Sequence, residues 1–271
     1  MAEWPDNYVQ ANGLNIHYYR TGGEGRPVII LLHGVVDNGL CWTPVARDLQ
    51  GQFDVIMTDA RGHGRTGGSL EGFSYKLLSD DVAAFIRALG LGSVYLFGHS
   101  MGAMTAATVA ANYPELVRAL VLEDPPFRDE EPDQDGEGRS ERMLQFFQGI
   151  LALRNLSPEE RLVAARKYNP RWDEVELAPW AESKVEFNPE VFRHLERDIP
   201  WREILSRIRC PLLLVTGDPA AGAIVAPQAA QEAEDLCEHG EVIHIAGAGH
   251  CIHRDRYAET MTQIQNFLCR V

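Results

Sequence analysis

The sequence has no long apolar run and comparatively little positive charge. No stretch approaches the roughly 18 apolar residues that a helix needs to cross a bilayer, so we expect no transmembrane segment. The 25 lysines and arginines are outnumbered by 39 aspartates and glutamates, which gives a net charge of −14. Nucleic acids and anionic membrane surfaces attract basic patches, so this balance disfavours both as partners. It is compatible with small or neutral substrates.

Cysteine is also scarce. The five cysteines are scattered, odd in number and without a C-x-x-C pair: Cys41, Cys210, Cys237, Cys251 and Cys269. This pattern disfavours a disulfide framework and a structural zinc site. The first ten residues, MAEWPDNYVQ, lack the basic and apolar regions of a secretory signal. We therefore expect free thiols, a cytoplasmic location and no bound metal.

Short apolar runs alternate with helical patterns along much of the chain. Runs rich in Val, Ile and Leu predict buried strands at 28–32, 53–59, 93–98, 119–124, 210–217 and 241–247. Helical patterns lie between or after them, at 74–90, from 101 to a break at Pro114, near 227–238, and at about 255–269. Strand–helix–strand alternation predicts a mostly parallel sheet with helices on both faces.

The alternation stops between residues 127 and 205, where no strand-like run occurs. Residues 128–142 are acidic and contain Pro and Gly, which predicts a solvated loop. Helices are predicted around 140–154, 158–168 and 189–198. We therefore divide the chain into a core, 1–126, a helical insertion, 127–205, and a second core part, 206–271.

Residues 98–102, Gly-His-Ser-Met-Gly, match the pattern G-x-S-x-G between a predicted strand and a predicted helix. A bend that lifts a serine hydroxyl above the sheet crowds the residues two before and two after it, and glycine has no Cβ to clash there. The helix that begins at Met101 directs its free N–H groups and its positive end toward the serine. An ordinary glycine-flanked turn has the same letters, but the context favours a nucleophile at Ser100.

An oxyanion site is expected at the end of a neighbouring strand. The stretch LLHGVVDNG, 31–39, follows the predicted strand at 28–32. A turn at His33-Gly34 would aim the N–H of Val35 inward, where it and the N–H of Met101 could bind a tetrahedral intermediate. A plain strand-to-loop turn is the alternative.

The base must come from one of nine histidines. His250 follows the last predicted strand in the glycine-rich stretch IAGAGHCIH, where an imidazole can reach across the carboxyl edge of the sheet. His253 is a second candidate, and the side chain of His99 should diverge from the adjacent serine. The run HCIH at 250–253 has too few ligands for a convincing metal site and no H-E-x-x-H pattern.

These motifs together resemble the α/β-hydrolase superfamily. The matching pieces are LLHG (31–34), DARGHGRT (59–66), GHSMG (98–102) and GAGH (247–250), which occur in the family's order. The resemblance implies an α/β-hydrolase fold with a mostly parallel eight-stranded sheet, helices on both faces and a helical cap inserted at 127–205. By similarity, Ser100 matches the nucleophile, His250 the base, and Val35 and Met101 the oxyanion donors.

The acid of the expected Ser-His-acid triad is ambiguous. Many family members place it after the seventh strand in a G-x-x-D pattern, but Ala220 occupies that position here and Asp218 follows the glycine directly. A second family solution uses the end of the sixth strand, which is where Asp124 lies. Strand alternation puts Glu123 on the opposite face. Because the usual position holds no acidic residue, we favour Asp124. Asp218 remains an alternative, either as the acid or as a turn residue.

The function expected from these residues is hydrolysis of a carboxylic ester or lactone through an acyl-enzyme, without metal or cofactor. A serine in the bend argues against the haloalkane dehalogenases and epoxide hydrolases of this fold, which use aspartate. Carbon–carbon bond hydrolysis, cofactor-free haloperoxidase activity and a hydrolase-fold ligand receptor remain alternatives. The G-x-G-x-x-G at 62–67 also raises a dinucleotide-dependent oxidoreductase, but no helix pattern follows it directly.

The inserted segment carries the aromatic residues from which a substrate pocket could be built. Phe147, Trp172 and Trp180 are candidates to contact an acyl chain or ring. Packing within the insertion explains them equally well. Neither the identity of the small-molecule substrate nor the oligomeric state can be deduced from the sequence.

Overall fold

A computed structural model of the protein describes residues 4–128, 145, 147–194 and 199–271. Its eight strands are β1 (Asp6–Ala11), β2 (Leu14–Arg20), β3 (Val28–Leu32), β4 (Asp54–Thr58), β5 (Val94–His99), β6 (Val117–Glu123), β7 (Leu212–Thr216) and β8 (Gly240–His244). They form one sheet in the order β1-β2-β4-β3-β5-β6-β7-β8. Strand β2 is antiparallel to β1 and to β4, and all other neighbours are parallel. The predicted mostly parallel sheet is confirmed.

The central strands are apolar on both faces because each face packs against helices. Ile30 of β3 and Ile56 of β4 belong to the core on one side of the sheet. Ile29 of β3 and Val55 of β4 belong to the core on the other side. All four side chains are fully buried, and their alternation follows from the two-residue period of a strand.

Ten α-helices lie in the described part of the chain. They are α1 (Thr43–Leu49), α2 (Tyr75–Ala88), α3 (Met101–Asn112), α4 (Pro158–Tyr168), α5 (Glu174–Glu186), α6 (Val191–His194), α7 (Trp201–Ser206), α8 (Pro227–Leu236), α9 (Ile252–Asp255) and α10 (Tyr257–Leu268), besides a short helical stretch at 147–151. Short 3₁₀ helices occur at Gly39–Trp42, Pro114–Leu116, Ala152–Asn155 and Pro219–Ala221. Helices α2, α3, α7 and α8 cover one face of the sheet, and α1, α9 and α10 cover the other.

The described residues between β6 and β7 form helices joined by turns and loops, and none of them lies in a strand. Helix α4 coincides with the predicted helix at 158–168 and begins with a capping box of Ser157 and Glu160. The helices predicted at 140–154 and 189–198 are seen in part, and their remaining residues, like the acidic loop predicted at 128–142 beyond residue 128, lie outside the described ranges. This segment has a small apolar core of its own, which also includes Cys41.

Within the described ranges, none of the helices combines the length and the apolar character needed to cross a membrane. The N-terminal hairpin of β1 and β2 forms one edge of the sheet. Strand β1 alternates between exposed and half-buried residues. It therefore lacks the continuous apolar run by which the central strands are recognised in the sequence.

Candidate active site

Ser100 occupies the bend between strand β5 and helix α3. Its backbone has φ 52° and ψ −114°, a conformation that side-chain-bearing residues rarely adopt and that costs on the order of 1–3 kcal/mol. The flanking glycines make the bend possible. A methyl group on Gly98 would overlap the carbonyl of Gly102, and one on Gly102 would overlap the carbonyl of Leu32. The serine is thus held at the carboxyl edge of the sheet.

The imidazole of His250 links Ser100 to a carboxylate. Its Nε2 lies 3.0 Å from Ser100 Oγ, and its Nδ1 lies 2.7 Å from Asp124 Oδ2. Because a carboxylate accepts hydrogen bonds, Nδ1 carries the proton and Nε2 is free to accept from the serine hydroxyl. The three side chains form one continuous chain of hydrogen bonds from three separate loops.

The carboxylate of Asp124 is completely buried and held by the main chain. It accepts the N–H of Ile224 at 2.7 Å and that of Val225 at 2.9 Å, in addition to facing His250. Both N–H groups come from the loop between β7 and α8. This loop fixes the orientation of the carboxylate from the side opposite the imidazole.

The other candidate acid, Asp218, lies with different partners. Its Oδ1 is 2.9 Å from His244 Nε2, and its Oδ2 accepts the N–H of Gly247 at 2.6 Å. That main-chain bond, with His244, lowers the pKa of Asp218. The structure therefore brings Asp124, and not Asp218, to His250.

Glu123 and His253 form a second buried acid–imidazole pair beside the first. His253 Nδ1 lies 2.7 Å from Glu123 Oε2, and the main-chain N–H of His253 donates to Oε1 at 3.0 Å. Burial alone would raise the pKa of Glu123, but the charge and hydrogen bonds of His253 lower it to about 2. Trp42 stacks on the His253 ring at 4.8 Å. His253 is thus engaged with Glu123, on the face of the strand opposite Asp124.

His99 supports the backbone of the loop that carries His250. Its Nε2 donates to the carbonyl oxygen of His250 at 2.9 Å, and the two rings lie 4.7 Å apart. Burial lowers the pKa of His99 to about 3, so the ring is neutral at physiological pH. The ring therefore holds the His250 loop, and among the described contacts none joins it to the serine hydroxyl.

The loop after β3 approaches Ser100 at Gly34, where an added Cβ would lie 3.4 Å from the serine Cβ. The ring of His33 fixes the Gly34 carbonyl, since its Nδ1 donates to that oxygen at 2.8 Å while its Nε2 accepts the N–H of Ala60 at 3.1 Å. Asp37 N–H donates to the same oxygen at 3.2 Å. In a trans peptide the N–H of Val35 points away from that carbonyl.

Met101 is the first residue of helix α3, so its N–H has no partner within the helix. It adjoins Ser100 directly. The positive end of the helix dipole therefore lies at the serine.

The three aromatic candidates of the helical segment have packing partners. Phe147 lies against Phe192 with ring centres 4.6 Å apart, and Trp172 meets Trp180 edge-on at 5.7 Å. Trp172 Nε1 also donates to Asp255 Oδ1 at 3.1 Å. Among the described contacts, none joins these aromatic rings to Ser100 or His250.

Asp255 was not singled out in the sequence, yet it connects the helical segment with the His250 loop. Its Oδ2 accepts the N–H of Gly249 at 2.7 Å. Glu123 was noticed only as the residue that should face away from Asp124. The sequence signal that could have found the second pair is the repeated order of acids and histidines, Glu123-Asp124 and His250-x-x-His253.

The G-x-G-x-x-G stretch at 62–67 forms a tight turn in which His63 and Thr66 pair across an isolated bridge. The next helix starts only at Tyr75, so the stretch does not open a helix as a dinucleotide-binding motif does. Within the part of the chain that the structure describes, there is also no cluster of three or more His, Cys, Asp or Glu side chains able to hold a metal ion.

Comparison with known proteins gives relatives along nearly the whole chain. An N-formylmaleamate deformylase of Pseudomonas putida is 30% identical over 252 residues, covering 91% of this chain and 90% of the relative. A 2-(acetamidomethylene)succinate hydrolase of Mesorhizobium japonicum is 29% identical over 261 residues, covering 92% and 90%.

The crystal structure of an N-formylmaleamic acid deformylase from Pseudomonas putida shares the fold with a TM-score of 0.79 at 24% identity, over 96% of this chain and 100% of that one. A family model described as the alpha/beta hydrolase fold matches residues 27–257. The chain belongs to the α/β-hydrolase fold family.

Proposed function

We propose that the protein is a serine hydrolase that cleaves a carboxylic ester or lactone, with Ser100 as nucleophile, His250 as base and Asp124 as the acid. The observation that carries the proposal is the chain of hydrogen bonds from Asp124 through His250 to Ser100, at 2.7 and 3.0 Å. Family membership supports hydrolysis as the reaction class. Asp218, engaged with His244, is left with a structural role.

The chemistry follows from the proton positions. As Ser100 Oγ attacks the substrate carbonyl carbon, its proton moves to His250 Nε2 and the carbonyl oxygen becomes an oxyanion. Collapse of this intermediate breaks the acyl–oxygen bond, and His250 returns the proton to the leaving alkoxide. Water, deprotonated by His250, then attacks the acyl carbon. The carboxylic acid is released as His250 returns the proton to Ser100 Oγ. Asp124 stabilises the imidazolium at each stage.

For the oxyanion we propose the N–H groups of Val35 and Met101. Two features support Met101, namely its position next to the proposed nucleophile and its N–H at the start of α3, which has no partner within the helix. The support for Val35 is indirect. His33 and Asp37 both bind the Gly34 carbonyl, so the N–H on the same peptide is directed away from them. Removal of one such donor typically lowers kcat by about 10²–10³-fold.

We also propose that residues 127–205 form a cap over the site, between core parts 1–126 and 206–271. Its described helices lie between β6 and β7, and Trp172 binds Asp255 beside the His250 loop. Phe147, Trp172 and Trp180 remain our candidates for the pocket lining. The mechanism uses only side chains and main-chain N–H groups. The free cysteines are consistent with a cytoplasmic location.

A second candidate reaction is hydrolysis of an amide. It is favoured by the names of the two relatives reported above, one a deformylase and the other a hydrolase of an acetamido compound. The same nucleophile and base serve, but His250 would have to protonate a leaving nitrogen. Since an amide leaving group is poorer, protonation by the imidazolium matters more for this substrate.

A substrate panel tests the proposal. It contains chromogenic esters of increasing acyl length, several lactones, N-formyl and N-acetyl amides, and a carbon–carbon bond substrate, each with wild-type protein and a serine-directed phosphonate. We expect turnover of esters or lactones and covalent labelling of Ser100. Turnover confined to amides would favour the second candidate. Tight binding with negligible turnover would favour a receptor, and turnover without labelling would refute the nucleophile.

A further inference from the structure

Lys184, near the end of helix α5, is a fully buried lysine with no exposed side-chain surface. Its ammonium group donates three hydrogen bonds: to Val36 O at 2.9 Å, to Asp37 Oδ1 at 3.0 Å and to Ser183 Oγ at 3.0 Å. Two of these acceptors belong to the loop that follows β3. Removing a lysine from water is unfavourable unless its charge and donors are matched, as they are here.

Asp37 is shared between Lys184 and a second buried cation. Arg254, in helix α9 and four residues after His250, donates to Asp37 Oδ2 at 2.9 Å. Burial alone would raise the pKa of Asp37, but the charges of Arg254 and Lys184 hold it well below its usual range. One carboxylate therefore joins the proposed cap, the loop after β3 and the helix that follows the His250 loop.

Val36 is the strained residue of this loop. It has φ +66°, although its branched Cβ makes that region of backbone space unfavourable. Its carbonyl accepts from Lys184 Nζ at 2.9 Å, and Ser183 Oγ lies at the same distance with its one proton shared between this carbonyl and that of Trp180 at 2.8 Å. Since the residue is buried, loss of these donors would leave the carbonyl without a partner and would remove what opposes the strain.

The loop transmits this constraint toward Ser100 through one turn. The N–H of Asp37 donates to Gly34 O at 3.2 Å and closes a turn in which Val35 and Val36 are the central residues. Lys184 holds the far end of this turn, and Gly34 packs against Ser100 at the near end. Rotation of the Val36 backbone would open the turn and free the peptide that carries the Val35 N–H.

We propose that Lys184 is a positioning residue for the oxyanion site: by holding the Val36 carbonyl and the Asp37 carboxylate, it fixes the direction of the Val35 N–H. Lys184 touches neither the nucleophile nor the base in this arrangement. The inference rests on the proposed function, because it presumes that Val35 stabilises the oxyanion. It makes the proposed cap part of the catalytic geometry as well as of the pocket.

The test compares Lys184→Met with Arg161→Met. Arg161 is a matched control, since it is a second buried cation of the same segment but pairs with Glu182 and contacts the carbonyl of Leu156. For each folded variant, kcat and KM are measured on the best ester of the panel. Affinity is also measured for a trifluoromethyl ketone. Ser100 Oγ adds to the carbon of this ketone, its proton passes to His250, and the carbonyl oxygen becomes an oxyanion.

For Lys184→Met we expect kcat to fall about 10²-fold, the low end of the effect of losing one oxyanion donor. The ketone should bind more weakly by a similar factor, while KM should change by no more than about threefold because ground-state binding is retained. Arg161→Met should keep kcat within about twofold of wild type even if it lowers the stability. Equal kcat values in the two variants would overturn the inference.

Ser183→Ala decides the matter if Lys184→Met does not fold. It removes the hydroxyl beside the Val36 carbonyl and one acceptor of Lys184 Nζ, but it leaves the charges of Lys184 and Asp37 in place. The inference then requires a roughly fivefold loss of kcat, the worth of one neutral hydrogen bond, with unchanged KM. A wild-type kcat in this variant would overturn it. Failure of the proposed function is distinguishable, because wild-type protein would then lack phosphonate labelling at Ser100.

Discussion

The carboxylate of Asp124 lies 2.7 Å from Nδ1 of His250, although 126 positions separate the two residues in the chain. The N–H groups of Ile224 and Val225 donate to the same carboxylate, so the main chain holds its orientation independently of the imidazole. Asp218 has hydrogen-bond partners of its own, His244 and Gly247, and they do not connect it to His250, so variants of the two aspartates distinguish the proposed acid from a structural carboxylate.

Asp124→Asn should lower kcat on the order of 10⁴-fold with the protein still folded. An amide can present its NH₂ to the imidazole, which favours the wrong tautomer and no longer stabilises the imidazolium. Asp218→Asn should lose far less, because only a bond to Gly247 and a half-exposed contact with His244 are weakened. Steady-state kinetics of both variants check this. A large loss confined to Asp218→Asn would transfer the acid role to that residue.

Ser100→Ala should reduce hydrolysis on the order of 10⁶-fold, because the nucleophile and its transferable proton are both removed. The matched control is Ser206→Ala, at an exposed serine whose hydroxyl donates to Glu203 O, and it should leave the rate of hydrolysis unchanged. Rates with the best substrate and intact-mass analysis after phosphonate treatment measure both. Substantial activity in Ser100→Ala would exclude the acyl-enzyme mechanism.

Glu123→Gln should be a stability variant. Breaking its buried pair with His253 should lower the free energy of unfolding by about 3 kcal/mol, while kcat falls less than about tenfold. The control Glu115→Gln removes an exposed ion pair with Arg87 and should cost at most about 1 kcal/mol. Urea unfolding and kcat report the two effects. If kcat instead fell as far as in Asp124→Asn, the second pair would belong to the proton-transfer machinery.

Stability should decrease below about pH 6.5, where a histidine in the unfolded chain gains its proton. Burial, together with the neighbouring His33 imidazole, lowers the pKa of His63 to about 3 in the folded protein. Between these values the unfolded state binds more protons, so the stability present above pH 6.5 is lost as the pH falls toward 3. At pH 5 this one group should cost on the order of 2 kcal/mol.

His63→Asn tests this pH dependence, since an amide can still donate to the carbonyl of Arg61 but does not titrate. Urea midpoints between pH 5 and 8 should fall less steeply in this variant than in wild type. His239→Asn, at an exposed histidine, should leave the slope unchanged. Parallel curves for wild type and His63→Asn would contradict the predicted contribution.

Gly98→Ala should destabilise the protein by about 3 kcal/mol, because its methyl group would overlap the Gly102 carbonyl at the bend that carries Ser100. Gly67→Ala has open space around the new methyl group, so a loss above about 0.5 kcal/mol is not expected. Thermal and urea unfolding compare the two. Equal stability of both variants would show that the bend relaxes without cost.

The sequence predicted the central strands well because parallel strands buried on both faces appear as short uninterrupted apolar runs. Strand β3 was predicted to the residue, and β4 and β5 within one residue at each end. Strand β1 gives no such run, since exposed and half-buried residues alternate at the edge of the sheet. Burial on two faces is therefore what made the strands recognisable.

The bend at Ser100 was predictable because its geometry forces glycine at fixed spacing on either side. The contacts of its neighbours were not, because they depend on how distant loops return to one edge of the sheet. Asp124 and Asp218 each end or follow a strand, and only the three-dimensional path of the chain separates their partners. Lys184 likewise meets Asp37 across 147 residues, with no spacing rule between them.

The segment between β6 and β7 leaves and rejoins the sheet at neighbouring strands, whose residues Leu120 and Leu212 are paired. A gene could therefore exchange this segment for another of different length without changing the strand order. Lys184 limits such exchange. It belongs to the exchanged segment, whereas its ion-pair partner Asp37 belongs to the core. A recombinant that inherits an apolar residue at position 184 would leave the buried Asp37 carboxylate to pair with Arg254 alone among the described residues. We therefore expect positions 37 and 184 to be retained or substituted together in related proteins.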